Sequence, residues 1–267
     1  MPECRVAAHT FIFQQYGLDH VKQIDKILAA VGEAGFEAVE LHQKAMEGDD
    51  ASPRVDAALR HSGLELVGAS HGQPLWNHAE YERILDVMDQ YSDNLSELGE
   101  GFKCGMSCSG KRLADRSQKE NDHLVEAWTA LCEGFNSKDA VLLYHTHGEP
   151  SEDIEFVIEN VSEELLPLNP DLDWLRVGGV DPDAFIQEHA DRIQMLHLRD
   201  YKEGGDRTSA LGEGDVDYAK MGQVLDDIGF TGDIVVELAL PSGTHPDRPV
   251  GELLRNSREH LRSTMGV

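Results

Sequence analysis

The strongest constraint on the fold is one motif repeated eight times in 267 residues: a short apolar run, a polar break, then an amphipathic helical stretch. Apolar runs read as strands over 4–9, 36–41, 64–70, 102–106, 140–147, 165–172, 193–201 and 234–238. The sixth run is interrupted by Pro167 and Pro170. Helices are predicted over 19–31, 53–61, 77–98, 118–135, 151–161, 182–190, 216–228 and 250–265, with Gly32, Gly35, Gly63 and Gly99 as stops and Asp181-Pro182 as a cap and first-turn pair. Eight strand-then-helix units of this size predict an α/β fold, a (β/α)8 TIM barrel, in one domain over 1–267. No Pro/Gly/Ser-rich linker divides the chain. A doubly wound open sheet accommodates the same alternation, but the first strand-to-helix turn has no GxGxxG to support a dinucleotide fold.

Fifty acidic residues against 23 basic ones give a formal charge of −27, while a hydrophobic fraction of 40% argues for a folded chain. The acidic residues are spread along the sequence, as expected of a surface adapted to high salt, a halophile-type proteome in which screening shortens the reach of self-repulsion. No basic stripe is present to replace counterions on phosphates, so nucleic acid is excluded as a partner. No apolar run approaches bilayer length, and Met1-Pro-Glu-Cys-Arg lacks the apolar region of a secretion signal. A soluble cytoplasmic protein with no membrane partner is expected. The cysteines, Cys4, Cys104, Cys108 and Cys132, form no CxxC pair and are expected to be reduced.

In such a barrel the C-terminal strand ends converge on one mouth. His9, Glu40, His71, Glu149, Asp171, His197, Arg199 and Glu237 all fall at or just after predicted strand ends. Within Ile193-Gln-Met-Leu-His-Leu-Arg-Asp-Tyr201, Ile193, Met195, His197 and Arg199 share one face of the strand. Asp233-Ile-Val-Val-Glu237 likewise ends in a carboxylate. Carboxylates and imidazoles gathered in this way suit one divalent ion, Mn, Mg, Co or Zn, without a thiolate ligand. Such an ion polarises neighbouring carbonyl and hydroxyl oxygens, and flanking carboxylates shuttle a proton, which is aldose–ketose isomerisation or epimerisation chemistry.

Tyr144-His-Thr-His147, Asp171-Leu-Asp-Trp174, Gly178-Gly-Val-Asp-Pro182, the 193–201 stretch, Leu211-Gly-Glu-Gly-Asp-Val-Asp217 and Gly232-Asp-Ile-Val-Val-Glu237 follow one another over 140–240. As an ensemble this part of the chain resembles the xylose isomerase-like barrel superfamily of sugar isomerases, epimerases and inosose dehydratases. The resemblance implies a small-molecule sugar or polyol substrate and metal ligands after strands five to eight: Glu149, Asp171, His197 and Glu237. Asp173 is the alternative to Asp171. The family's strand-five Glu commonly stands three residues after the second His, at Pro150 here; Glu149 keeps the face of His145 and His147, and Glu152, His145 and His147 are its alternatives. Glu149 and Glu237 are then implied as the proton-transfer pair. His71, Trp174 and Arg199 are assigned to substrate, with Arg199 suited to an oxyanion or acidic group, or to pairing with Asp200 or Glu237. An inosose-dehydratase-like lyase and a non-catalytic barrel with an incomplete metal site are the alternatives, and assembly as a homo-oligomer is left open. The surface charge predicts that activity and melting temperature fall from molar salt to dilute buffer; values unchanged across that range would remove the halophile reading.

Overall fold

The computed structural model describes residues 4–108, 110–240, 243–244 and 248–267. The chain runs β1 (Val6–His9), α1 (Ile12–Gln15), α2 (Ile24–Glu33), β2 (Ala38–Leu41), α3 (Ala51–Ser62), β3 (Glu65–Gly72), α4 (Tyr81–Ser96), β4 (Lys103–Ser107) and α5 (Gln118–Asn136). It continues through β5 (Val141–His145), α6 (Ser151–Asn160), β6 (Leu168–Asn169), α7 (Leu172–Val177), α8 (Pro182–Glu188), β7 (Met195–Leu198), α9 (Tyr218–Asp227), β8 (Asp233–Val236) and α10 (Val250–Thr264). The strands are parallel, in the order β6-β5-β4-β3-β2-β1-β8-β7. Two parallel bridges, Leu168 to Ile193 and Asp171 to His197, close the seam between β6 and β7. There Gln194 N–H donates to the Leu168 carbonyl at 3.0 Å and His197 N–H to that of Pro170 at 2.9 Å. The fold is a single-domain TIM barrel. Among the described residues no helix is long and apolar enough to cross a membrane.

Four local features depart from expectation. The sixth strand keeps only two residues, because Pro167 and Pro170 bracket it and neither has an N–H for a ladder. The first long helix starts at Ile24 because the Asp19 carboxylate accepts the N–H groups of Val21 and Lys22 at 2.9 and 3.1 Å and holds a turn there. The stretch expected as one helix over 77–98 divides into a 3-10 turn, His78–Glu80, and α4. The short helices α1 and α7 interrupt stretches whose apolar pattern predicts no helix; Asp171 caps α7 by accepting the Trp174 N–H at 2.9 Å.

The barrel interior is layered by the two-residue period of its strands. Ala7, Ala38, Val67, Leu143, Met195 and Val235 form an apolar plug separate from the larger core between sheet and helices. Below it, Asp233 accepts from Arg5 at 2.7 and 3.1 Å and from Lys103 at 2.7 Å, closing the N-terminal end of the barrel with charge. Above it, the same inward faces deliver His9, Glu40, His145, His197 and Glu237. Gly105 provides the room: a Cβ there would lie 2.5 Å from the Asn169 amide nitrogen and 3.4 Å from a Glu40 oxygen.

Because Lys103 is largely buried, Asp233→Asn is expected to lower the unfolding free energy on the order of 3 kcal/mol, measured by urea denaturation. The double replacement Asp233→Leu with Lys103→Met should recover most of that loss, since Arg5 is half-exposed and can return to water.

Candidate metal centre and substrate pocket

The polar layer forms the floor of a cleft of about 390 Å³. His9, His42, His71, His145, His147, His197, Trp174, Arg199, Arg207 and Glu237 line it together with Phe11, Ser70 and Ser107. His145, Asp171, His197 and Glu237 each offer one ligand atom, and these atoms lie within 4.8 Å of one another. All four residues are buried, so this group could hold a metal ion.

Each member is oriented by a specific partner. His145 Nδ1 lies 3.2 Å from the Asn169 carbonyl; a carbonyl only accepts, so Nδ1 carries the proton and Nε2 keeps its lone pair. Burial pulls the His145 pKa well below its ordinary value, which keeps the ring neutral as a ligand requires. Asp171 is placed by its own N–H, which donates to Thr146 Oγ1 at 3.0 Å, and its Oδ2 accepts from Arg199 Nε at 2.7 Å. His197 stands between two carboxylates, with Glu237 2.7 Å from Nδ1 and Glu40 2.6 Å from Nε2. Burial opposes its charged form, but the two carboxylates outweigh it and push its pKa up to about 10. Glu237 also accepts from Arg199. Burial alone would raise the Glu237 carboxyl; Arg199 and His197 hold it well below the usual range.

The structure separates the candidates read from the strand ends. It brings Asp171, His197 and Glu237 together and leaves Glu149 outside the group. Gly148 adopts φ 81°, in the left-handed region, which ends the extended alternation after His147. The Glu149 carboxylate turns back to accept the His147 N–H, and its other oxygen is 3.7 Å from the Arg112 guanidinium. His145, named among its alternatives, takes the fourth place. Asp173 is also outside: its buried carboxylate binds Arg176 and Arg207. Arg199 pairs with Asp171 and Glu237, whereas Asp200 accepts four backbone N–H groups, from Tyr201, Gly212, Gly214 and Val216, at 2.8–3.3 Å. His71 lines the cleft with Nδ1 taken by the Gly72 N–H at 2.8 Å, so its Nε2 is the protonated nitrogen. His147 lies 4.0 Å from the Trp174 ring centroid. Sequence reasoning missed Arg207, which sits in an irregular loop with no strand-end position to mark it, and His42, two residues beyond Glu40 on one face.

The family model described as the xylose isomerase-like TIM barrel matches residues 28–264. The chain belongs to this family. Within the xylose isomerase-like barrels it is similar to the inosose dehydratase of Geobacillus kaustophilus (strain HTA426), 24% identical over 262 residues, covering 85% of this chain and 84% of that one. A Clostridium perfringens (strain 13 / Type A) inosose dehydratase is 27% identical over 140 residues, 42% of this chain and 47% of that one. Among solved structures, an L-ribulose 3-epimerase superposes with a TM-score of 0.79 at 15% identity, covering 98% of this chain and 95% of that one. The D-psicose 3-epimerase of Clostridium cellulolyticum H10, solved with D-tagatose, gives 0.78 at 12% identity, over 98% and 99% of the two chains. These superpositions show the shared barrel.

Burial lowers the pKa of three mouth histidines, His20 and His71 to about 4 and His42 to about 3. They stay neutral in the fold but take a proton near pH 6.5 once unfolded, so stability is complete above that pH and declines as pH falls toward 4. Among the described residues neither ring nitrogen of His20 has a hydrogen-bond partner. His20→Phe should therefore lose less stability than the parent between pH 7 and 4.5 in urea titrations; an equal loss would remove His20 as a contributor.

Proposed function

We propose that the chain is a divalent-metal-dependent enzyme that removes the proton next to a carbonyl in a sugar or polyol derivative, as an isomerase or epimerase does. The observation that carries this reading is the buried group His145, Asp171, His197 and Glu237, of which His145, His197 and Glu237 line the cleft. An ion about 2.0–2.2 Å from each donor asks for donor spacings of roughly 3–4.4 Å, close to the 4.8 Å limit within which the four atoms lie. Two imidazole nitrogens and two carboxylate oxygens suit Mn, Co, Zn or Mg. When bound, the ion would polarise the substrate carbonyl and the hydroxyl beside it and so acidify the intervening C–H.

The chain's own residues supply the rest. Glu237 is held ionised at the cleft and is the candidate base. Burial keeps His9 and His147 neutral in the cleft wall, and each is a candidate for carrying a proton on another side of the substrate. The protonated Nε2 of His71 is a donor for a substrate hydroxyl, and Trp174 walls the site against water. Arg199 keeps Asp171 and Glu237 in place as a bridging cation. Glu40, on Nε2 of His197, is the carboxylate that orients that ring from behind.

A dehydratase is the second reading, favoured by one structural fact and one similarity. Glu149, the carboxylate expected to complete a two-glutamate proton shuttle, is absent from the cleft lining, and the relative matched over 85% of the chain is named inosose dehydratase. Elimination needs one base for the C–H proton and one acid for the departing hydroxyl, which leaves as water. Glu237 and a cleft imidazole meet that need.

Metal analysis is expected to find about one divalent ion per chain, lost in His197→Ala and in Glu237→Ala; full occupancy in both variants would overturn the assignment. A panel of sugars and polyols in D₂O distinguishes the two reactions. Deuterium wash-in without change of composition marks an isomerase or epimerase, and loss of water marks a dehydratase.

A further inference from the structure

The chain carries more than two acidic residues for each basic one, yet two arginines, Arg199 and Arg207, line the cleft beside a single carboxylate, Glu237. Arg199 is occupied by Asp171 and Glu237. Arg207 is not: its Nε donates to Asp173, and among the described residues no hydrogen bond engages its two terminal nitrogens.

Arg207 is nonetheless held firmly. Tyr201 and Arg207 form an antiparallel bridge, and Lys202 N–H donates to the Asp206 carbonyl at 2.8 Å, so residues 201–207 make a hairpin that returns Arg207 to the cleft. Its guanidinium carbon lies 4.3 Å from the Trp174 ring centroid. Asp173 fixes one side of the guanidinium and is itself fully buried, with Arg176 bound at 2.5 and 3.1 Å. Two arginines on one carboxylate leave a positive charge beyond neutrality. The Arg199 guanidinium carbon is 5.9 Å from the same indole, so both arginines border one space. Arg112, whose Nη2 donates to the Gly148 carbonyl at 2.9 Å, adds positive potential at His147 on this side. A guanidinium oriented through Nε, stacked on an aromatic ring and free at its two terminal nitrogens is prepared for a planar or tetrahedral anion.

We propose that the substrate carries an anionic group, a carboxylate or a phosphate, and that this group binds the free end of Arg207 beside Trp174. The inference rests on the reading of the cleft as a sugar or polyol site and narrows its substrate to acidic derivatives.

Calorimetric titration of the metal-loaded protein with D-glucuronate, D-glucose 6-phosphate and D-glucose, at one ionic strength, tests it without turnover. At least one anionic probe is expected to bind about tenfold or more tighter than glucose. Arg207→Gln should abolish that preference, while Arg207→Lys should restore part of it. Which of the two anionic probes is preferred separates carboxylate from phosphate. Equal binding of all three, no measurable binding of either anionic probe, or a preference that survives Arg207→Gln overturns the inference. Failure of the underlying reading shows separately, as full metal occupancy in the ligand variants and no deuterium exchange or water loss with any sugar or polyol.

Discussion

Everything at the mouth of this barrel depends on how buried negative charge is compensated. Glu40, Asp171 and Glu237 all lie at low exposure around His197 and Arg199. Removing carboxylates from water is affordable only where cations and hydrogen bonds replace the lost hydration. Arg199 provides a charge that does not titrate away, in a planar fork that reaches Asp171 with one nitrogen and Glu237 with another. His197 provides the second charge because two carboxylates face its two nitrogens. Any metal ion entering this group would compete with the proton on His197 and with the hold of Arg199, and that exchange, not the four ligands alone, would set its affinity.

The barrel makes such a concentration of charge tolerable by confining it. The plug around Leu143 and Met195 separates the mouth from the Arg5, Lys103 and Asp233 group at the opposite end, so the two charged groups share no partner. Strand four shows the division within one segment. Lys103 serves the lower group, Gly105 leaves space for Asn169 and Glu40, and Ser107 reaches the cleft.

Period and position explain which parts of the site were legible in the sequence. His197 and Glu237 stand two residues beyond Met195 and Val235, so alternation alone puts them at the mouth. Asp171 could be preferred over Asp173, but the reason, two arginines drawn to Asp173 from α7 and from the 201–207 hairpin, exists only in three dimensions. Glu149 lies outside the four-residue group because the extended alternation does not continue past the end of β5. The glycine before it takes a left-handed φ and the carboxylate folds back on the backbone. The two prolines that shorten the sixth strand are visible in the sequence, whereas the caps of the short helices depend on side-chain bonds that periodicity does not record.

The acidic loop motif Leu211-Gly-Glu-Gly-Asp shows how far a motif's meaning depends on its partner. Its glycines suggest a ligand cradle, while its acids repel an anion. Asp200 resolves the conflict. Its carboxylate receives the Gly212 and Gly214 N–H groups at 2.8 Å, and a Cβ on Gly214 would lie 2.2 Å from one of its oxygens. The loop's donors are thus consumed internally by the residue that follows Arg199. The same anchoring reaches Arg207 through Thr208, whose N–H donates to the Asp200 carbonyl at 3.0 Å. One buried aspartate thereby ties the end of β7, the acidic loop and the Arg207 hairpin into a single rigid wall. Preorganisation of that kind lets a cleft arginine bind an anion without first giving up the freedom of a long side chain.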